Sequence, residues 1–177
     1  MSIRKYWIRG VPEEERYCIY FQEHYKGYYD LCLQFTNAKF EIFYSTCTNT
    51  IDDLVRWIER LDRDDTVISF SINEEGPIIR IILERTHYYD KDLHTLRLIK
   101  DWEPYQGYEF KKVISKKGFI TRLLYAIKKL MDERGWGTGS IYGNEIIEGF
   151  SPFFKKYSIN EYGECNSCRQ KVCIGES

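Results

Sequence analysis

Alternating apolar and polar positions dominate the first half of the chain and predict β-strands. Between residues 28 and 36, the apolar Tyr29, Leu31, Leu33 and Phe35 alternate with polar or small side chains. This period of two is typical of a strand with one buried and one wetter face. Comparable runs predict further strands over residues 16–25, 39–46, 67–72, 78–84, 93–99 and 108–114.

Two other stretches carry apolar residues at the spacing of an amphipathic helix. The first runs from Ile51 to Leu61, and Thr50 can cap its start. The second begins after Ser115, which can also act as an N-cap, and ends before Gly135. Both helices need an apolar surface to cover, and the predicted strands supply one.

The order of these elements predicts the α+β class. We expect a mainly antiparallel sheet of about six to seven strands, packed against two amphipathic helices. Residues 135–143 carry four glycines and predict a loop, and Pro152 predicts that residues 144–157 form no helix. Residues 1–157 are therefore expected to form one domain, followed by an irregular, cysteine-containing tail over 158–177.

Composition and charge narrow the classes of function. The 177 residues include 26 Lys+Arg and 27 Asp+Glu, giving a net charge of -1, which argues against a general nucleic-acid binder. No apolar run is long enough to cross a membrane, and residues 1–10 lack the apolar segment of a signal peptide. We therefore expect a cytoplasmic protein that binds neither nucleic acid nor membrane.

The cysteines offer one local motif. Cys165, Cys168 and Cys173 stand at a spacing that allows three thiolates to bind one Zn²⁺, with the fourth ligand supplied from elsewhere. Reduced thiols, a disulfide or a redox pair within the tail are the alternatives. The three other cysteines lie on predicted strands, where a free thiol is usually a small buried apolar group; they are Cys18, Cys32 and Cys47.

Acidic and aromatic residues concentrate on the predicted connections in the middle of the chain. Exposed aromatic side chains mixed with carboxylates on connecting segments are typical of a protein-recognition surface. The residues that we expect to bind a partner are Glu74, Glu75, Tyr88, Tyr89, Asp90, Asp92, Trp102 and Tyr105. The alternative is structural, since Asp and Glu are common in turns and aromatic rings can fold back over a sheet.

Catalytic motifs are missing from the sequence. The three histidines do not stand in a metal-binding H-E-x-x-H arrangement, and no G-x-S-x-G nucleophile motif occurs. We therefore expect no catalytic residues and no enzyme. An active site assembled from scattered residues remains the alternative, because catalytic groups meet in space rather than in sequence order.

The layout between residues 50 and 134 resembles immunity proteins of bacterial polymorphic toxin and contact-dependent inhibition systems. Three features carry the resemblance: the helix Ile51–Leu61, the hairpin Val67–Leu83 with its Glu74-Glu75-Gly76 turn, and the late helix over 115–134. The resemblance implies an α+β protein without catalytic residues. It also implies an acidic or aromatic face that clamps one cognate toxin, often a nuclease.

Together these features predict a non-enzymatic protein-binding module, most plausibly an immunity protein that neutralises a cognate toxin domain. No cofactor is expected under this interpretation. The alternative is a small zinc-binding module that uses the cysteines of the tail. Exposed aromatic residues and sheet edges also allow a homodimer.

Overall fold

The computed structural model of the chain describes residues 12–25, 28–44, 51–63, 66–74, 77–87, 89–101, 108–134 and 143–159. These residues form an α+β fold with two antiparallel sheets. The first sheet has the order β1-β2-β3, with β1 at Tyr17–Tyr25, β2 at Tyr28–Phe35 and β3 at Lys39–Tyr44. The second has the order β4-β5-β6-β7, with β4 at Val67–Asn73, β5 at Ile78–Arg85, β6 at Leu93–Asp101 and β7 at Tyr108–Ser115.

Three α-helices and one short 3₁₀-helix complete the described elements. The α-helices are α1 at Ile51–Asp62, α2 at Lys116–Arg134 and α3 at Gly143–Lys156, and the 3₁₀-helix covers Glu13–Glu15. Helix α1 lies between the two sheets in the sequence. The α+β class and the antiparallel pairing are therefore confirmed. No helix among the described residues is long and apolar enough to span a membrane.

The strands do not form the single sheet that the pattern predicted. Seven strands are present near the predicted positions, but they divide into a three-stranded and a four-stranded sheet. At the boundary, the main-chain N–H of Phe43 on β3 donates to the Glu74 side chain, which follows β4, at 2.8 Å. A side chain thus satisfies this donor, and no backbone ladder joins β3 to β4.

One hydrophobic core joins both sheets and the three helices. Trp57 is its largest fully buried side chain. Its ring stacks on Phe70 of β4 with centroids 4.5 Å apart, and meets Phe119 of α2 edge-on at 5.9 Å. Trp57 lies on the buried side of α1 together with Leu54 and Ile58.

The face of β2 that carries its polar residues is more buried than the alternating pattern predicted. Asp30 and Cys32 are buried, although they alternate with the apolar residues of the core. In the register, Cys32 lies between Tyr20 on β1 and Glu41 on β3. Long side chains on the flanking strands therefore cover the middle strand on the side away from the core.

Helix α3 contradicts the expectation that Pro152 prevents a helix. Pro152 lies inside α3, while Phe150 and Phe154 on the same helix are buried. An interior proline costs about 3 kcal/mol, and each buried Phe contributes about 1.5–3 kcal/mol. Gly149 allows α3 to approach α1, because an added Cβ would lie 3.2 Å from Val55. Packing against the core therefore outweighs the proline.

The end of α3 is also packed. Ser158 adopts a left-handed φ of 55°, and the N–H of Ile159 donates to the Phe154 carbonyl at 2.9 Å. This bond pattern is a Schellman-type helix end, in which the residue after the left-handed position contacts the helix again. Ile159 is buried in the core, so the packed part of the chain reaches beyond residue 157.

Candidate protein-interaction surfaces

The second sheet separates the predicted partner-binding residues into two groups. In its register, Asn73, Ile78 and Asp101 are neighbours at one end, while Arg85 and His94 are paired at the other. The eight residues of β5 span about 25 Å at about 3.4 Å per residue. The described members of the predicted set therefore lie in two places: Glu74 at one end of the sheet, and Tyr89, Asp90 and Asp92 on the connection between β5 and β6.

Glu74 links the four-stranded sheet, at the end of β4, to the three-stranded sheet. Besides accepting the Phe43 N–H, its carboxylate lies 3.9 Å from Lys100 Nζ. Burial is the main cause that raises the pKa of Glu74, and the nearby Asp30 adds to it, whereas Phe43 and Lys100 act in the opposite direction. Glu74 is thus a structural link whose negative charge is only partly compensated.

Aromatic side chains from the β1–β2 hairpin surround this link. The Tyr28 ring stacks on Phe43 with centroids 6.0 Å apart, and the His24 ring meets Phe43 at 5.6 Å. Tyr25 is 72% exposed and Tyr28 is also exposed. We call the set formed by His24, Tyr25, Tyr28, Asp30, Phe43 and Glu74 the hairpin-end surface.

A nearly buried acid lies beneath these rings. The Asp30 carboxylate lies 3.0 Å from His24 Nδ1, and its side chain is 11% exposed whereas that of His24 is 60% exposed. Asp30 stands between Gln22 and Phe43 in the register. The arrangement offers a partner exposed aromatic area with carboxylates next to it, which suits side chains that carry both apolar and cationic parts.

Sequence reasoning missed most of the hairpin-end surface. Only Glu74 was among the predicted residues. The available signal was the pair Tyr25 and Tyr28, two aromatic residues that lie at the adjoining ends of two predicted strands. That Phe43 and Glu74 approach each other depends on how the two sheets meet, which no local pattern reveals.

The second group lies on the connection from β5 to β6. Tyr89 is 96% exposed there. One carboxylate oxygen of Asp90 accepts the N–H groups of Asp92 and Leu93 at 2.9 and 3.2 Å. The N–H of Thr86 donates to the Leu93 carbonyl at 3.0 Å, closing the connection. Tyr89 is thus displayed on a backbone that local hydrogen bonds hold.

Asp92 caps helix α2. Its carboxylate accepts the Lys117 N–H at 2.8 Å and the Ser115 hydroxyl at 2.5 Å, and its carbonyl accepts the Lys116 N–H at 2.8 Å. The Ser115 oxygen in turn accepts the Gly118 N–H at 2.9 Å, as expected of an N-cap. The predicted partner-binding role of Asp92 therefore competes with a structural one.

The cysteines of the described strands are buried and are not part of disulfides. Cys18 and Cys32 have no disulfide partner, which agrees with the prediction for strand cysteines. Burial raises the pKa of Cys32 to about 12, so this thiol stays protonated at neutral pH and is a poor nucleophile. The described residues contain no group of three or more His, Cys, Asp or Glu side chains placed to hold a metal ion.

Several predicted residues lie outside the described part of the chain. They are Glu75, Tyr88, Trp102 and Tyr105 among the partner-binding residues, and Cys165, Cys168 and Cys173 of the zinc motif, together with Cys47. Glu75 is adjacent in sequence to Glu74, and Tyr88 to Tyr89.

Comparisons with protein-family models, curated protein sequences and solved structures find no match to this chain.

Proposed function

We propose that this protein is a non-enzymatic binding module that neutralises a cognate protein toxin through the hairpin-end surface. The observation that carries the proposal is the stack of Tyr28 on Phe43, next to the exposed Tyr25. Aromatic rings fixed on strands lose little conformational freedom on binding, and such rings dominate the energy of protein interfaces.

The carboxylates beneath the rings favour a basic partner surface. Glu74 and Asp30 lie close enough for Asp30 to raise the pKa of Glu74, and Lys100 at 3.9 Å is a distant counter-charge for Glu74. A lysine or arginine of the partner would reduce this repulsion while its methylene groups pack on the rings. Many nucleases carry such basic surfaces, because they bind phosphate backbones.

Resemblance to immunity proteins supports the choice of a toxin as partner. Helix α1, strands β4 and β5 and helix α2 are the elements to which that resemblance refers. The protein is proposed to act in the cytoplasm of the producing cell. A homodimer formed through the same aromatic surface is an outcome that the binding test distinguishes by mass.

A co-expression experiment tests the proposal. A candidate toxin domain, encoded beside the gene for this protein, is induced with the wild-type chain, with a Tyr25→Ala/Tyr28→Ala variant, or with a Tyr89→Ala variant as the matched control. We expect the wild type and Tyr89→Ala to restore growth and the double variant to fail, with all three proteins folded. Equal protection by all three excludes the hairpin-end surface, and protection by none excludes that toxin as partner.

A further inference from the structure

His94 is the one histidine that the fold buries completely among the described residues. It is 0% exposed, at the start of β6. Its neighbours in the register are Arg85 on β5 and Ile114 on β7. The other two histidines, His24 and His87, are exposed.

The two ring nitrogens of His94 have different environments. Nδ1 lies 3.1 Å from the Asp92 carbonyl oxygen, so Nδ1 carries the proton and donates it. Nε2 is buried and has no hydrogen-bond partner among the described residues. The packing therefore fits the neutral imidazole, because a proton on Nε2 would have no acceptor there.

The charged groups that face the ring also oppose a second proton. Arg85 on β5 and Lys116 on α2 act against a positive ring, while Asp92 favours one. Ile114 on β7 contributes no charge. Burial is the main cause that lowers the pKa of His94, the two cations add to it, and Asp92 opposes it.

We propose that His94 is an acid-sensitive latch, whose protonation breaks its contact with Asp92 and loosens the N-terminus of α2. The imidazolium reaches water only if the ring leaves its site, which breaks its bond to Asp92. The same residue holds the first turn of α2 through the N–H groups of Lys116 and Lys117. Leaving the site therefore weakens the part of the cap that Asp92 supplies.

The sign of the pH dependence follows from the lowered pKa. Above the ordinary histidine value of about 6.5 the ring is neutral in both states, and the latch keeps its full stability. As the pH falls below that value, the opened state binds the proton first. The opening equilibrium then rises by roughly tenfold per pH unit until the folded-state pKa is passed.

Amide hydrogen exchange between pH 7.5 and 5.0 tests the latch, with protection corrected for the intrinsic pH dependence of exchange. We expect protection at Lys117 and Gly118 to fall severalfold at the acidic end, and to fall much less in His94→Asn. Asparagine can keep a donor toward the Asp92 carbonyl but does not titrate. His87→Asn, which changes an exposed ring outside the hairpin-end surface, is the control and should behave like the wild type.

A second measurement applies if His94→Asn does not fold. In the wild-type protein, the ring resonances of His94 should titrate below pH 6.5, together with the amide resonances of Lys117 and Gly118. Titration of His94 at or above 6.5 overturns the proposal. So does unchanged protection of the α2 N-terminus at pH 5.0 in the wild type.

Discussion

The Asp92 carboxylate accepts the main-chain N–H of Lys117 at 2.8 Å, across 25 positions of sequence. This contact places a negative charge at the N-terminus of α2, where the sequence puts Lys116 and Lys117 against the helix dipole. The cap therefore comes from the preceding connection as well as from Ser115. It joins the start of β6 to the longest helix of the described chain.

Removing this cap should destabilise the protein. We expect Asp92→Ala to lower the free energy of unfolding by about 1–2 kcal/mol, since the variant loses a helix cap and leaves the Ser115 hydroxyl without its acceptor. Thermal and urea unfolding measure the change. Asp101→Ala, which removes an exposed partner of Arg80, is the control and should cost less than about 1 kcal/mol. Equal losses of stability in the two variants would show that the Asp92 cap contributes no more than an exposed ion pair.

A buried ion pair makes a second stability prediction. Arg122 of α2 is 6% exposed, lies 2.7 Å from Glu15, and sits over the Tyr17 ring at 4.4 Å. Glu15→Ala should cost about 1–3 kcal/mol, because it removes the carboxylate from a buried guanidinium that keeps its bond to the residue-15 carbonyl. Adding Arg122→Met in the same chain should recover part of that loss, measured by urea unfolding. No recovery would argue that the charge of Arg122 is not the cause.

Helix α3 should be more stable without its proline. Pro152→Ala restores an N–H for the helix and removes the ring that crowds the preceding turn. We expect the free energy of unfolding to rise by about 1 kcal/mol, after allowing for the greater freedom of the unfolded chain. Pro12 lies outside the helices and strands, so the free energy of unfolding of Pro12→Ala should not rise in the same way. A lower melting temperature for Pro152→Ala would mean that the proline supports a bend that packing requires.

The Glu74 carboxylate should destabilise the fold at neutral pH relative to a neutral isostere. Its pKa is raised in the folded state, so folding becomes less favourable as the pH rises through the interval from the ordinary value to the raised one. Glu74→Gln keeps an oxygen for the Phe43 N–H and should be more stable than the wild type at pH 7. The advantage should shrink as the pH falls to about 4.5. A variant less stable than the wild type at pH 7 would show that the Lys100 contact outweighs burial.

Strand and helix positions were accessible from the sequence because their signals are local. The alternation around Leu31 and Leu33 and the stripe through Leu54 and Ile58 follow directly from which side chains the core takes. Helix α3 was missed because the penalty of Pro152 is visible in sequence, whereas the packing that offsets it is not. The stacked position of Trp57 likewise depends on partners in β4 and α2.

The candidate surface was harder to predict than the fold, because proximity between strands depends on register. Glu74 and Tyr89 belong to neighbouring segments of the sequence, but the antiparallel path of β5 places them at opposite ends of one sheet. Tyr28 and Glu74 are distant in sequence but both contact Phe43. Two carboxylates that were predicted to bind a partner also make structural contacts. Asp92 caps a helix, and Glu74 links the two sheets.

Binding of the candidate toxin domain to purified variants of this protein tests the central claim most directly. We expect Tyr28→Ala to raise the dissociation constant by about 30-fold, equivalent to about 2 kcal/mol. Tyr89→Ala should leave it within about twofold of the wild-type value. The complex should have the mass of one copy of each protein. Equal affinity of Tyr28→Ala and the wild type, in a variant that remains folded, would contradict the assignment of the hairpin-end surface as the toxin-binding site.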